Sequence, residues 1–395
     1  MIATIEIIDQ LYLLNALKEA RRVAAPGATR EILEKAREMR GLTVDETAVL
    51  LANDDPETRE TLFAIAAEIR SAVAGRRISL FAPLYLSNAC CNECAYCAFR
   101  VRHREQARRA LNRQEITAEA RALAALGHRR ATLVCGAVYP GGMGFDYVLD
   151  AIDAVRQGRS EAGELREINV NVPPLDGSDF RRLAAARVAG YQLSQETYHR
   201  EMYASVHVGG PKRDFDDRIT AVHHARHAGI EHVGIGVLLG LYNWHFEALA
   251  LLSHATAIER DFGSGPVSIS LSRLAPAHGS AISYHPPYAV TDAELLKLVA
   301  VLRLALPYTG QVLAHEEPAS IREDALRLGI TEMSAAGRCE PGAYASGILD
   351  DQSQLADHRS LEKVARELTG FGFEPTFAAL EFAEREPANL ASLVQ

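Results

Sequence analysis

Cys90, Cys94 and Cys97 lie in the stretch ACCNECAYC, a C-x3-C-x2-C spacing that puts three thiols on one tight loop. Four of the six cysteines of the chain fall between residues 90 and 97. Thiolates this close in sequence can face one point and share a metal centre. That there are three ligands rather than four is informative. A structural zinc site usually takes four protein ligands, and Cys135 and Cys339 are far off in sequence. A 4Fe–4S cluster held by three cysteines leaves one iron open to an exogenous ligand. Cluster ligation fits the spacing best, and zinc closed by a distant cysteine is the alternative. Cys91 has no place in either pattern.

The thiols need a frame. From residue 77 onward, short apolar runs alternate with helical stretches. The runs cover 77–86, 129–138, 166–175, 189–197, 231–241, 266–276, 309–318 and 329–337. Eight strands, each followed by a helix, predict an α/β chain built as a parallel (β/α)8 barrel of the TIM type. A doubly wound open sheet is the alternative. Residues 1–76 read as a helical extension, 77–346 as the barrel and 347–395 as a short helical tail. In the extension, Thr29 reads as a helix cap, Thr43 with Glu46 as a capping box, and Pro56 as a first-turn proline. The cysteine stretch follows the first strand, at the barrel end where chemistry is built.

The bulk numbers narrow the function. The chain has 395 residues, 48 % hydrophobic and 24 % charged, with a net charge of −9. That composition is ordinary for a globular protein. The acidic balance disfavours nucleic acid as the main partner. No apolar run is long enough to span a membrane, and the start MIATIEIIDQ lacks the marks of a signal peptide. A cytoplasmic location is expected.

CNECAYCAF resembles the signature of radical S-adenosylmethionine (SAM) enzymes, with Tyr96 in the aromatic slot. The likeness extends through LFAPLYLSN, INVNVPPLD, DQSQLADHRSLEKV and a long stretch opening YQLSQETYHREMYASVHVGGPKRDFDDRI. Together these resemble the radical SAM aromatic amino acid lyases, above all the HydG-type tyrosine lyases, and also the thiamine-pathway 2-iminoacetate synthases and the tryptophan lyases. The resemblance implies a full barrel, a 4Fe–4S cluster and SAM. It also implies a 5′-deoxyadenosyl radical that initiates carbon–carbon cleavage, as in tyrosine to p-cresol plus dehydroglycine. An external electron donor such as a flavodoxin or ferredoxin, a small-molecule substrate and a protein acceptor of the product are the implied partners. Residue by residue, it places Tyr96 near the adenine, Glu196 near the ribose and Arg218 on the carboxylate of SAM. Asn171 and Gln195 complete the implied cofactor site. Tyr85 and Ser334 are implied on the substrate side.

The chain departs from that family at three places. Ala137 stands where the family has a glutamate for the SAM amino group, and a methyl group accepts no hydrogen bond. A paralogue that only carries an iron–sulfur cluster is therefore a further alternative. Glu316, after His315, stands where an arginine clamps the substrate carboxylate, which inverts the sign of that position. A substrate without a carboxylate becomes an alternative, and His315, Glu316 and Glu317 are a candidate acid/base or metal-binding group. Phe377, Ala378, Ala379, Leu380 and Glu381 replace a second-cluster motif, so a cyanide- and carbonyl-bearing iron product is not expected.

Overall fold

The computed structural model describes residues 7–24, 26–313, 317–347, 356–380 and 382. Eight parallel strands form the centre: β1 (Arg77–Ser87), β2 (Arg130–Cys135), β3 (Glu167–Asn171), β4 (Gly190–Glu196), β5 (Val233–Leu239), β6 (Ser268–Arg273), β7 (Gly310–Leu313) and β8 (Glu332–Ser334). Each pairs with the next, and β8 returns to β1 through Ser79↔Glu332, Leu80↔Met333 and Phe81↔Ser334. Closure leaves no free edge and excludes the open sheet. All eight strands coincide with the apolar runs of the sequence.

Alternation along the strands sorts the side chains. On β6, Ser268 and Ser270 line the lumen, while Ile269 and Leu271 are fully buried in the surrounding core. Below the lumen, Arg130 on β2 is buried against Glu332 on β8 and donates to the Ser79 hydroxyl at 2.9 Å. This charged layer closes the N-terminal end of the barrel.

The helical extension packs against the outer helix Asp292–Ala305. Buried Lys297 on that helix donates to the carbonyls of Leu51 (2.8 Å) and Asn53 (2.7 Å), which end the helix Val44–Ala52. The capping box of Thr43 and Glu46 forms, and Pro56 opens its helix with Asp55 as cap. Thr29 is not a cap. Its helix begins at Pro26, and the Thr29 hydroxyl is buried and accepts from the Asn53 amide at 3.1 Å. The pairing is made by a residue 24 positions away, which local pattern cannot reveal.

The tail contains a helix, Leu361–Gly370, and also a ninth strand, β9 (Glu374–Thr376), which runs parallel to the start of β1. Asp357 anchors it by pairing with Arg322, and both side chains are almost fully buried. Arg322 also donates to the carbonyl of Ser334, so the tail props the end of β8. Asp357→Ala removes the buried carboxylate that faces Arg322 and should cost about 3–5 kcal/mol in chemical denaturation. A loss below about 1 kcal/mol would mean that the pair behaves like a surface one.

Candidate functional site

The cysteine loop leaves β1 and folds back on itself. Residues Glu93–Cys94 form a short antiparallel pair with His207–Gly209, a segment that follows β4. Two glycines permit the close approach. A side chain at Gly136, just after β2, would meet the Ala89 carbonyl at 2.1 Å. Gly210 has a positive φ of 81°, and a side chain there would meet the Asn92 amide oxygen at 2.4 Å.

The donor set suits a polynuclear cluster. The Asn92 backbone N–H donates to the Cys90 sulfur at 3.4 Å, the Asn92 amide to the same sulfur at 3.6 Å, and the Phe99 N–H to the Cys97 sulfur at 3.3 Å. Such N–H···S bonds orient thiolates and temper their charge. Burial pushes the Cys97 thiol up to about 12 and raises Cys94 as well. Cys90 acts on both electrostatically, so the three thiols share one neighbourhood. Bound iron would supply the charge that deprotonates them. Among the described residues, no three His, Cys, Asp or Glu side chains converge tightly enough to grip a single metal ion. Cys91 turns away and donates to the Ala137 carbonyl at 3.5 Å.

Beside this loop lies a charged triad. Glu196 ends β4 at a register shift, with a φ of 72° that non-glycine residues rarely adopt. Its carboxylate oxygen accepts from Lys212 at 2.6 Å and Arg218 at 3.0 Å. Burial alone would raise its pKa. The two cations outweigh that and hold it at about 2. Arg218 is no solvated helix arginine: it is 7 % exposed and also donates to the Ser194 carbonyl at 2.8 Å. Gln195 sits at the shift itself, 2 % exposed, and its amide nitrogen has no hydrogen-bond partner among the described residues. An orphaned buried donor beside a strained carboxylate fits a site that awaits a polar ligand.

The sequence missed Lys212, His207 and Asn92. Lys212 lies 5.5 Å from the Tyr96 ring centre, and its backbone N–H donates to the Asn92 side chain at 2.8 Å. The Tyr96 hydroxyl and the His207 Nε2 are 2.8 Å apart. Tyr96 is 8 % exposed and packs with Cys94, Val206 and Leu241 in this hairpin. The glycines ahead of Lys212 were the only local signal.

The lumen forms a cavity of about 140 Å³ lined by Tyr85, Asn171 and Ser334, together with Thr132, Gln192, Ser194, Ser268 and Ser270. Its described lining carries hydroxyls and amides and no charged side chain. Tyr85 links cavity and loop, because its ring meets Phe99 edge-on at 5.9 Å, two residues beyond Cys97. His315 and Glu316 lie outside the described residues. The Glu317 carboxylate is clamped by Arg273, whose Nε lies 3.0 Å from both oxygens.

Residues 84–252 match the radical SAM superfamily, and residues 270–374 match the Biotin and Thiamin Synthesis associated domain. The 2-iminoacetate synthase of Escherichia coli is 29 % identical over 358 residues, covering 90 % of this chain and 92 % of that protein. A crystal structure of HydG, a maturase of the [FeFe]-hydrogenase, superposes with a TM-score of 0.90 at 37 % identity, covering 94 % of this chain and 81 % of that one. HydG from Carboxydothermus hydrogenoformans gives 0.84 at 36 % identity, covering 94 % and 86 %. Cysteine loop, closed barrel and whole-chain likeness agree, and the chain belongs to the radical SAM superfamily, in the branch that holds HydG and 2-iminoacetate synthase.

Proposed function

We infer that this enzyme is a radical SAM carbon–carbon lyase that holds a 4Fe–4S cluster on Cys90, Cys94 and Cys97. The observation that carries this reading is the uncharged, hydroxyl-lined lumen that Tyr85 joins to the cysteine loop. Cluster and SAM together, once bound and reduced, supply a 5′-deoxyadenosyl radical. The residues of the chain do the rest by placement. The Asn92 and Phe99 N–H groups steady the thiolates, while Glu196, Lys212, Arg218 and Gln195 offer charge and hydrogen bonds to the polar groups of SAM. Tyr85 and Ser334 orient the substrate so that the hydrogen lost comes from its amine or hydroxyl, and Asn171, on the same lumen wall, sides with the cofactor. Homolysis of the neighbouring carbon–carbon bond follows. The closed barrel keeps water from the radical stage.

By likeness to 2-iminoacetate synthase and HydG, the substrate is an aromatic amine of the tyrosine type. The lumen favours a second reading of its head group. No described lining residue is cationic, and the sequence places Glu316 where the family clamp is an arginine. A substrate without an α-carboxylate fits such a site better than tyrosine. Tyrosine and its carboxylate-free counterpart tyramine, incubated in parallel with the reconstituted enzyme, separate the readings. Both yield p-cresol by the same bond cleavage once one electron and one proton are added. A higher kcat/KM for tyrosine sinks the carboxylate-free reading. Absence of p-cresol from both, while SAM is still cleaved, sinks the aromatic lyase assignment. Glu316→Arg should tighten tyrosine binding about tenfold or more, the worth of one charge-assisted hydrogen bond. Unchanged binding counts against an inverted clamp.

A further inference from the structure

The chain is acidic overall, with a net charge of −9, but the segment after the cysteine loop is not. Arg100, Arg102, Arg104, Arg108, Arg109 and Arg113 stand there against one acid, Glu105. Their tasks divide. Arg108 is exposed but folds back on the loop and donates to the carbonyls of Asn88 (2.9 Å), Phe99 (2.9 Å), Arg100 (2.7 Å) and His103 (3.2 Å), tying the segment together. Arg100 meets Glu93 at 3.5 Å, and Arg109 and Arg113 pair with Glu115 and Asp150. Arg102 and Arg104 are exposed and form no ion pair among the described residues, and the same holds for Arg213.

Arg102 and Arg213 border the strand that carries Cys94, and Arg104 follows two residues after Arg102. The Arg102 N–H is held by the Glu93 carboxylate at 3.0 Å, and the Val101 N–H by the Asn92 carbonyl at 2.9 Å. Arg213 lies in the turn after Gly210, which abuts Asn92. Val101 and Val208, each 49 % exposed, flank the same strand. An apolar centre with a cationic rim is the composition of a protein docking face. It is a poor match to a phosphate backbone, which wants an extended basic track and makes no use of two valines.

We propose that Arg102, Arg104 and Arg213, around Val101 and Val208, dock an acidic one-electron carrier protein of the flavodoxin or ferredoxin kind. This rests on the reading that Cys90, Cys94 and Cys97 hold an iron–sulfur cluster. One electron leaves the reduced carrier and one enters the cluster, and no bond or proton changes hands. Opposite charge steers the encounter and sets its orientation. The rest of the acidic surface repels the carrier, so productive contact is confined to the face nearest Cys94.

The test compares the wild type with Arg102→Glu/Arg104→Glu/Arg213→Glu, both reconstituted, using an acidic flavodoxin as probe. The binding of oxidised flavodoxin is measured directly. SAM cleavage is then driven either by reduced flavodoxin or by dithionite, across a range of salt. The triple variant should bind flavodoxin about tenfold or more weakly and lose the salt dependence of carrier-driven cleavage. Its thermal unfolding, cluster absorption and dithionite-driven cleavage should stay at wild-type level. Equal flavodoxin binding by the two proteins overturns the proposal, as does loss of nucleic-acid binding with flavodoxin binding retained. Failure of the cluster reading is distinguishable, because dithionite would then drive no cleavage even in the wild type.

Discussion

Cys94→Ala should abolish both the iron–sulfur absorption and SAM cleavage after anaerobic reconstitution, and Cys91→Ala should retain both. Cys94 sits on the strand paired with His207–Gly209, so the hairpin fixes where its sulfur points. Cys90 and Cys97 are oriented by the N–H groups of Asn92 and Phe99. On this reading, removing one of three protein ligands leaves the cluster with too few anchors. Cys91 points at the Ala137 carbonyl, so its sulfur is directed away from the proposed ligand set. Iron and sulfide content, visible absorption and 5′-deoxyadenosine yield check both variants. A cluster that survives Cys94→Ala but not Cys91→Ala would reassign the ligands.

Glu196→Gln is the second large effect. The wild-type carboxylate neutralises two cations at 2.6 and 3.0 Å inside the protein. A neutral amide leaves Lys212 and Arg218 facing each other with no counter-charge. Breaking such a buried group costs about 3–5 kcal/mol, and SAM affinity should fall with it. The pH dependence carries a further signature. The folded pKa of Glu196 lies below its ordinary value, at about 2. Its stabilisation is therefore complete above the ordinary carboxylate range and is lost as pH falls from there through about 2. Wild type and Glu196→Gln should differ most in Tm near neutral pH and converge in acid. Adding Lys212→Met should recover part of the loss, since it removes one of the stranded charges. A constant Tm gap across pH would mean that the carboxylate is not ionised as described.

The barrel was legible because short strand-like runs alternate with amphipathic helical stretches eight times over. The eight runs gave the closed order without any knowledge of pairing. The cysteine motif was legible because its ligands are local. The charged site beside it was only half so. Glu196 and Arg218 entered by resemblance, but their direct bond depends on the shift at Gln195 and on a helix 22 residues on. Lys212 and His207 act across a hairpin that joins residue 94 to residue 207, and spacing of that length leaves no periodic trace. Tyr96 shows the converse. Its place in the motif was evident, but not that its hydroxyl meets His207, which turns the ring into the protein. The tail read as helical because three-residue β9 is too short to announce itself, and its pairing partner lies almost 300 residues earlier.

The central claim is that the three-cysteine loop and the Glu196 triad together make this chain cleave SAM reductively. The direct measurement is anaerobic reconstitution with iron and sulfide, followed by SAM and dithionite, with products quantified by chromatography. The predicted result is 5′-deoxyadenosine and methionine in equal amounts, absent from cluster-free protein. No 5′-deoxyadenosine above that control, in protein that has taken up a full complement of iron and sulfide, would contradict it and leave a protein that only carries its cluster.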